Sequence, residues 1–564
     1  MHCSTTLLLA TTAHLNWLDW VTLAAYALLM LGVGWYFAVR TKSVDDFMLG
    51  GRSMNPWFVG LSMFVTYMSI LTYLAMPGEM VRYGPMVFGN LISFPVAFLI
   101  GAIWIIPYIM RRNKVVSAYE LIEERFGIGM RTLASLIFLV QRFIWMGVIV
   151  FAVVDKILVP VFGVPPEWLP YICIGIGLFT AIYSTMGGLK AVVVTDVIQS
   201  LILLAGAIIS IGFLISLTTG EGISFWPTQW HAHWPQEDIW YGDFQSRITI
   251  FDAFLAMLVW YVATIGSDQM AVQRYLAMGS VRKARKMLGV AIASNGILIL
   301  LLGVVGVGLL AYYTNNTNKL PELSKEDAAS IAKQNDPSPG ESPAPITKNT
   351  DKPNVDQPNA DKPNINQPPA RDLRYINGNK ADRLFPLFIL KELPPGVSGL
   401  IIAAILAAAM SSLSSGINSA SSVILVDFVE RFAGHQATTP QRRVFYARVI
   451  SMAIGLAVVG LSVLVANIEK NLWEICSRLI NLLVGPLFVT FCLAIFIPWA
   501  SRLGVWIATI TSLLIALFVA YPWIFFVYDV EIGFNWIVVL SLSGGVLVGM
   551  IASLILPDKK QEPS

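Results

Sequence analysis

The sequence predicts an all-α polytopic membrane protein. Three observations carry that class. Of 564 residues, 56% are hydrophobic and only 13% charged, against about 25% charged in soluble domains. The mean hydropathy is +0.67. Apolar stretches of about 20 residues recur along the chain, the length at which a helix crosses the hydrocarbon core. Lipid offers no partner to free backbone N–H and C=O groups, so the crossings are helical. A net charge of +3 gives no basic surface for nucleic acid. The four cysteines, Cys3, Cys173, Cys476 and Cys492, lie mostly inside apolar stretches, so neither a disulfide framework nor a zinc site is expected.

Thirteen spans are read in order: 20–39, 56–80, 86–110, 131–154, 168–187, 190–217, 250–273, 288–313, 386–427, 444–467, 472–498, 504–528 and 535–556. Ahead of the first lies a short apolar run, Leu7 to Ala10, with no Lys or Arg before it, so a cleaved signal peptide is not expected. The ninth is longer than one crossing needs and is expected to begin with a separate outer helix. Loops taken as inner carry nineteen Lys and Arg, Arg274 among them, and the short outer loops carry four. That bias places the N-terminus outside and the C-terminus inside. The outer loop 314–385 is rich in Pro, Asn and Asp, with a five-residue unit repeating from Asp351 (DKPNV, DQPNA, DKPNI, NQPPA). It has too few apolar residues for a core and is expected to be disordered.

Polar residues inside the spans are the functional candidates, because burying them in lipid costs free energy. In the second span, Thr66-Tyr67-Met68-Ser69-Ile70-Leu71-Thr72 precedes Pro77, Gly78 and Glu79. The segment reads either as an interrupted helix with exposed carbonyls or as an ordinary span whose hydroxyls bond back to their own backbone. In the fourth span Gln141 and Arg142 lie near mid-membrane. Arg142 needs an anion, either a solute or an internal partner such as Asp155, Asp196 or Glu79. Asp196 lies six residues past Lys190, about 9 Å into the sixth span at about 1.5 Å per residue. It calls for a cation, a proton or a salt bridge. In the ninth span, Ser411, Ser412 and Ser415 share one helix face, with Ser414 between them. Their hydroxyls suit a hard cation or, alternatively, close helix packing. Glu474 and Arg478, four apart, could pair with each other and are given no role.

At these residues the sequence resembles the sodium/solute symporter family. The motifs are DDFMLGGRSMNPWFVGLSM, VVSAYELIEERFG, YSTMGGLKAVVVTDVIQ, DQMAVQRYLA and AAAMSSLSSGINSASS, spread in order over nearly the whole chain. The 314–385 loop lies outside the likeness. The resemblance implies a leucine-transporter fold, with two inverted five-helix repeats at 56–217 and 250–467. Around them lie an N-terminal segment 1–55 with one helix, an outer loop 218–249, two further helices at 472–556 and a tail 557–564. It implies a sodium site from Val65, Met68, Ala408, Ser411 and Ser412, and a second from Asp196, Ser414 and Ser415, also touching Ser411.

In similar sialic acid symporters an Arg of the third core helix and hydroxyls at the first helix's break hold the solute carboxylate. Arg142, Ser69 and Thr72 match those positions, with Gln141 beside them. The string PGEMVRYG is similar to the branch carrying iodide, monocarboxylates and vitamins. Galactose-type members place Glu-Gln where this chain has Leu71-Thr72, which argues against a neutral sugar. Asp268-Gln269 departs from the commoner NQ. The reading is a Na⁺-coupled importer of a small organic anion, sialic-acid-like, in the cell membrane, with no obligate protein partner. The alternatives are a monocarboxylate or neutral-sugar symporter, a passive channel, and a transport-like sensor. Only the short tail 557–564 follows the last span, so no output domain is expected in cis. No nucleophile–base pair and no polar His cluster within the spans suggests an enzyme.

Overall fold

The computed structural model describes residues 15–41, 43–111, 115–159, 163–235, 240, 249–322, 371–377, 380–432, 440–465, 472–525 and 532–558. Helix α1 is Trp17–Arg40, started by a capping box in which Asn16 and Asp19 satisfy each other's backbone N–H groups. Helix α2, Pro56–Tyr67, opens on Asn55, whose side chain accepts the Trp57 N–H at 2.9 Å, with Pro56 in the first turn where its missing donor does no harm. It stops at Met68, which is extended at φ −76° and ψ 101°, and α3 (Ile70–Tyr83) resumes after Ser69. Next come α4 (Gly89–Ile100), α5 (Ile128–Val153) and α6 (Leu169–Gly220).

Helix α6 holds the fifth and sixth predicted spans, joined at Gly188, which has φ 62° and ψ −159°. Only glycine adopts that conformation at ease, and a Cβ there would stand 2.5 Å from the Phe47 carbonyl oxygen. The short helix Val44–Leu49 is tied to the bend: Lys190 Nζ donates to Asp46 Oδ1 at 2.8 Å and holds that carboxyl below the usual carboxylate range. Gly188→Ala is expected to lower stability by about 1–3 kcal/mol from backbone strain alone, read as a drop in melting temperature.

Helices α7 (Ile250–Ser267) and α8 (Gln269–Leu276) are separated by Asp268, at φ −76° and ψ 125°. The seventh predicted span is therefore a second broken helix. Then come α9 (Val281–Asn315), α10 (Leu384–Lys391), α11 (Val397–Val423), α12 (Pro440–Val465), α13 (Leu472–Phe496), α14 (Arg502–Ala520) and α15 (Trp536–Ile555). The long ninth stretch divides into α10 and α11 around Pro394, Pro395 and Gly396. By length and composition, eleven helical stretches among the described residues are apolar enough to cross a membrane.

The disorder expected over 314–385 fails at both described ends. Arg374–Asn377 and Ala381–Arg383 form helical turns, and Glu322 bridges to Arg371. Asp372 is the anchor, accepting from Arg374 Nε at 2.9 Å and Lys380 Nζ at 2.7 Å. A Cβ on Gly78 of α3 would meet the Asp382 backbone at 2.6 Å, so this segment lies directly on α3. The repeating units from Asp351 lie outside the described residues.

Helix α11 is the hub. Its apolar window is 89% buried, against 17% for α1. The run Ala407-Ala408-Ala409 and the serines beyond present little bulk, which lets neighbouring backbones approach. Helices α1, α2, α5, α6 and α12 all pack on it. Asp19 of α1 accepts the Gly396 and Gly399 N–H groups at 2.7 and 2.8 Å, satisfying the exposed start of α11.

Candidate cation and solute sites

The residues singled out in the second, sixth and ninth spans converge. Asp196, on the second arm of α6, is fully buried. Its Oδ2 accepts from Ser62 Oγ of α2 at 2.6 Å and from Ser415 Oγ of α11 at 3.3 Å. Its Oδ1 accepts from Ser411 Oγ at 2.7 Å. Ser62 and Thr66 share a face of α2 by their four-residue spacing, as Ser411 and Ser415 do on α11. Thr66 and Ser415 hydroxyls share a hydrogen bond of 2.9 Å. Ser412 Oγ donates to the Thr66 carbonyl at 2.9 Å.

Helix α2 ends at Tyr67, which leaves its last carbonyls without the next turn's donors. Val65, Met68 and Ala408 are buried at this junction. The carbonyls and hydroxyls expected to hold sodium thus belong to two helices in direct contact. Ser414 is turned elsewhere: its Oγ donates to the Ser411 carbonyl at 3.1 Å, and its own carbonyl accepts from Ser184 Oγ at 3.1 Å.

Two partners differ from those the sequence suggested. Arg274, counted among the inner-loop cations, is a core residue with its side chain 1% exposed. Its Nη2 donates to Asp196 Oδ2 at 3.2 Å, Thr66 Oγ1 at 2.7 Å and Ser415 Oγ at 2.7 Å. The counter-ion of Asp196 is therefore a guanidinium brought by α8. The reason is the break at Asp268, which turns α8 back into the protein, so that a basic residue just beyond an apolar span no longer marks a loop. Arg142 pairs not with Asp155, Asp196 or Glu79 but with Asp268, through Nη2 and Oδ2. The polar pair Asp268-Gln269 was the available signal. An Asp at that position caps α8, accepting the Met270 N–H at 2.9 Å.

Arg142 is buried, its guanidinium 5.5 Å above the Phe138 ring and its Nε without an acceptor. Tyr67, in the last turn of α2, carries a second buried donor without a partner. Ser69 and Gln141 are buried and Thr72 half-buried.

A third cluster was not foreseen. Asp427, past the end of α11, accepts from Ser117 and Ser135 at 2.7 Å each and from Arg131, which also reaches Glu123 at 2.5 Å. It joins the segment before α5 to the far end of α11.

A family model described as the sodium:solute symporter family matches residues 47–334 and 369–512. The chain belongs to that family. The sodium/sialic acid symporter of Proteus mirabilis is 27% identical over 97% of each chain. That of Aliivibrio fischeri is 26% identical over 89% of this chain and 87% of its own. A solved structure of a Na⁺-coupled sialic acid symporter, in a substrate-bound outward-open state that reveals a novel Na⁺ site, gives a TM-score of 0.72. It is 25% identical and covers 97% of this chain and 100% of that one. This member of the family is a multi-pass membrane protein with the leucine-transporter fold, and it is a sodium-coupled solute symporter. The break between α2 and α3 and that between α7 and α8 fit the interrupted helices expected of the two repeats. A Na⁺ ion fits the donors at the α2–α11 junction, which are all oxygen and hard.

Proposed function

We propose that this symporter imports a small carboxylated solute of the sialic acid kind, with the carboxylate held by Arg142. The observation that carries this reading is a buried guanidinium whose Nε has no acceptor. Arg cannot shed its proton, and its planar fork matches a carboxylate. Ser69 and Thr72 at the break, with Gln141, complete the receptor. Sodium sits on the carbonyls of Val65, Met68 and Ala408 and the hydroxyls of Ser411 and Ser412. It ties α2 to α11, so its binding biases the rocking of one repeat, 56–217, against the other, 250–467.

A second sodium at Asp196, Ser414 and Ser415 meets the Arg274 guanidinium, so it enters only as Arg274 moves off. The chain crosses the cell membrane thirteen times, N-terminus outside. No covalent chemistry, nucleic acid or obligate protein partner enters the reading.

A thermal-shift screen of the purified protein tests it. Sugar acids, monocarboxylates, amino acids and hexoses are each added with sodium and with choline. Stabilisation by sugar acids only in sodium is expected. Stabilisation by hexoses, or equal shifts in choline, rejects it. A response confined to monocarboxylates keeps sodium coupling and replaces the solute. The double variant Ser411→Ala/Ser412→Ala is expected to remove sodium stimulation of uptake, measured in proteoliposomes.

A further inference from the structure

A guanidinium presents five N–H donors in a plane and receives a free carboxylate through two of them. Asp268 does not engage Arg142 that way. Its Oδ2 takes one Nη2, while its Oδ1 accepts the Met270 N–H at 2.9 Å, and Nε of Arg142 stays buried without an acceptor. The carboxylate is split between the guanidinium and the start of α8. There the first N–H groups of the helix favour a negative charge whether or not the guanidinium is present. Asp268 also stands at the non-helical junction of α7 and α8, whereas Arg142 belongs to α5. The pair therefore ties the broken helix of one repeat to a helix of the other.

Resting on the reading of Arg142 as the carboxylate receptor, we propose that Asp268 is a built-in stand-in for the solute. A carboxylated solute binds by replacing Asp268 on Arg142, filling the fork through Nε and an Nη. Asp268 retreats to the N-terminus of α8. Protonation is not required, because one carboxylate leaves the guanidinium as another arrives. The exchange unties the α7–α8 break from α5, so solute binding itself releases a restraint between the repeats. The strength of the Arg142–Asp268 pair then sets the solute affinity.

The test uses the purified full chain in saturating sodium. Asp268→Asn keeps the cap, since Asn serves as well there, and removes the competitor. If the pair is closed in about 90–99% of molecules, its loss tightens binding about 10- to 100-fold, read by calorimetry with N-acetylneuraminate. Acetate at tens of millimolar is expected to raise the melting temperature of Asp268→Asn and leave that of the native protein unchanged. An Asp268→Asn protein that binds no tighter and ignores acetate makes Asp268 a fixed structural counter-ion and overturns the exchange. If that variant is unfolded without an anion, refolding in acetate supports the proposal and failure to refold overturns it. If the native protein does not take N-acetylneuraminate, the acetate measurement alone decides. Retained binding in Arg142→Ala overturns the receptor reading itself. Lost binding there, with no gain in Asp268→Asn, overturns only the exchange.

Discussion

Arg142→Ala is expected to abolish solute uptake while sodium binding survives. A carboxylate bound through a buried guanidinium gains two charge-assisted hydrogen bonds. Removing that partner from a buried site costs about 3–5 kcal/mol, more than a hundredfold in affinity. Asp268, left behind, keeps the Met270 N–H, so the loss falls on the solute more than on the fold. Arg142→Lys keeps the charge but not the fork and is expected to fall between the two. Solute uptake into proteoliposomes and sodium-dependent thermal shifts separate the effects. An unchanged KM for solute in Arg142→Ala would remove the solute assignment and leave the sodium site standing.

The second large effect belongs to the Asp196–Arg274 pair. Asp196→Asn leaves the buried Arg274 charge without its carboxylate, held by hydroxyls and the Met270 carbonyl, which costs about 3–5 kcal/mol of stability. Arg274→Met does the reverse to Asp196. The double variant restores neutrality, so its melting temperature is expected to recover much of the loss. Additive losses in that cycle would mean the two charges are not coupled.

Charge movement gives a second readout. One Na⁺ with a monovalent anion moves no net charge and yields about 1.4 kcal/mol from a tenfold gradient. Two Na⁺ yield about 5.1 kcal/mol once about 2.3 kcal/mol per charge at 100 mV is added. If Arg274 yields Asp196 to a second ion during transport, the neutral double variant moves one charge fewer per solute. An unchanged ratio of charge to solute would confine Asp196 to a structural role.

The membrane architecture was legible because lipid enforces it: a run of about 20 apolar residues has few structures open to it. The interruption at Met68-Ser69 was one of two readings that the clustered hydroxyls left open, while Pro77 and Gly78 lie inside α3 without breaking it, and the bend at Gly188 falls between the spans read at 168–187 and 190–217. The break at Asp268 had only Gly266, inside the last turn of α7, to announce it. It depends on a side chain that caps one helix while pairing with another. For the same reason the partners of Arg142 and Asp196 were not readable. Each lies on a helix whose direction that break decides, and spacing along one helix says nothing about which charge another helix brings. The serine face of α11 was visible in the sequence, but the backbone-directed turn of Ser414 was not.

The bridge between Glu322 and Arg371 has a practical consequence. The described residues on either side of 323–370 stand at adjacent points, and the matched family segments stop at 334 and resume at 369. The stretch between is an excision point: it can be exchanged for a short linker or a compact fluorescent reporter without forcing the flanking helices apart. Such a chimera would report surface exposure and copy number in living cells.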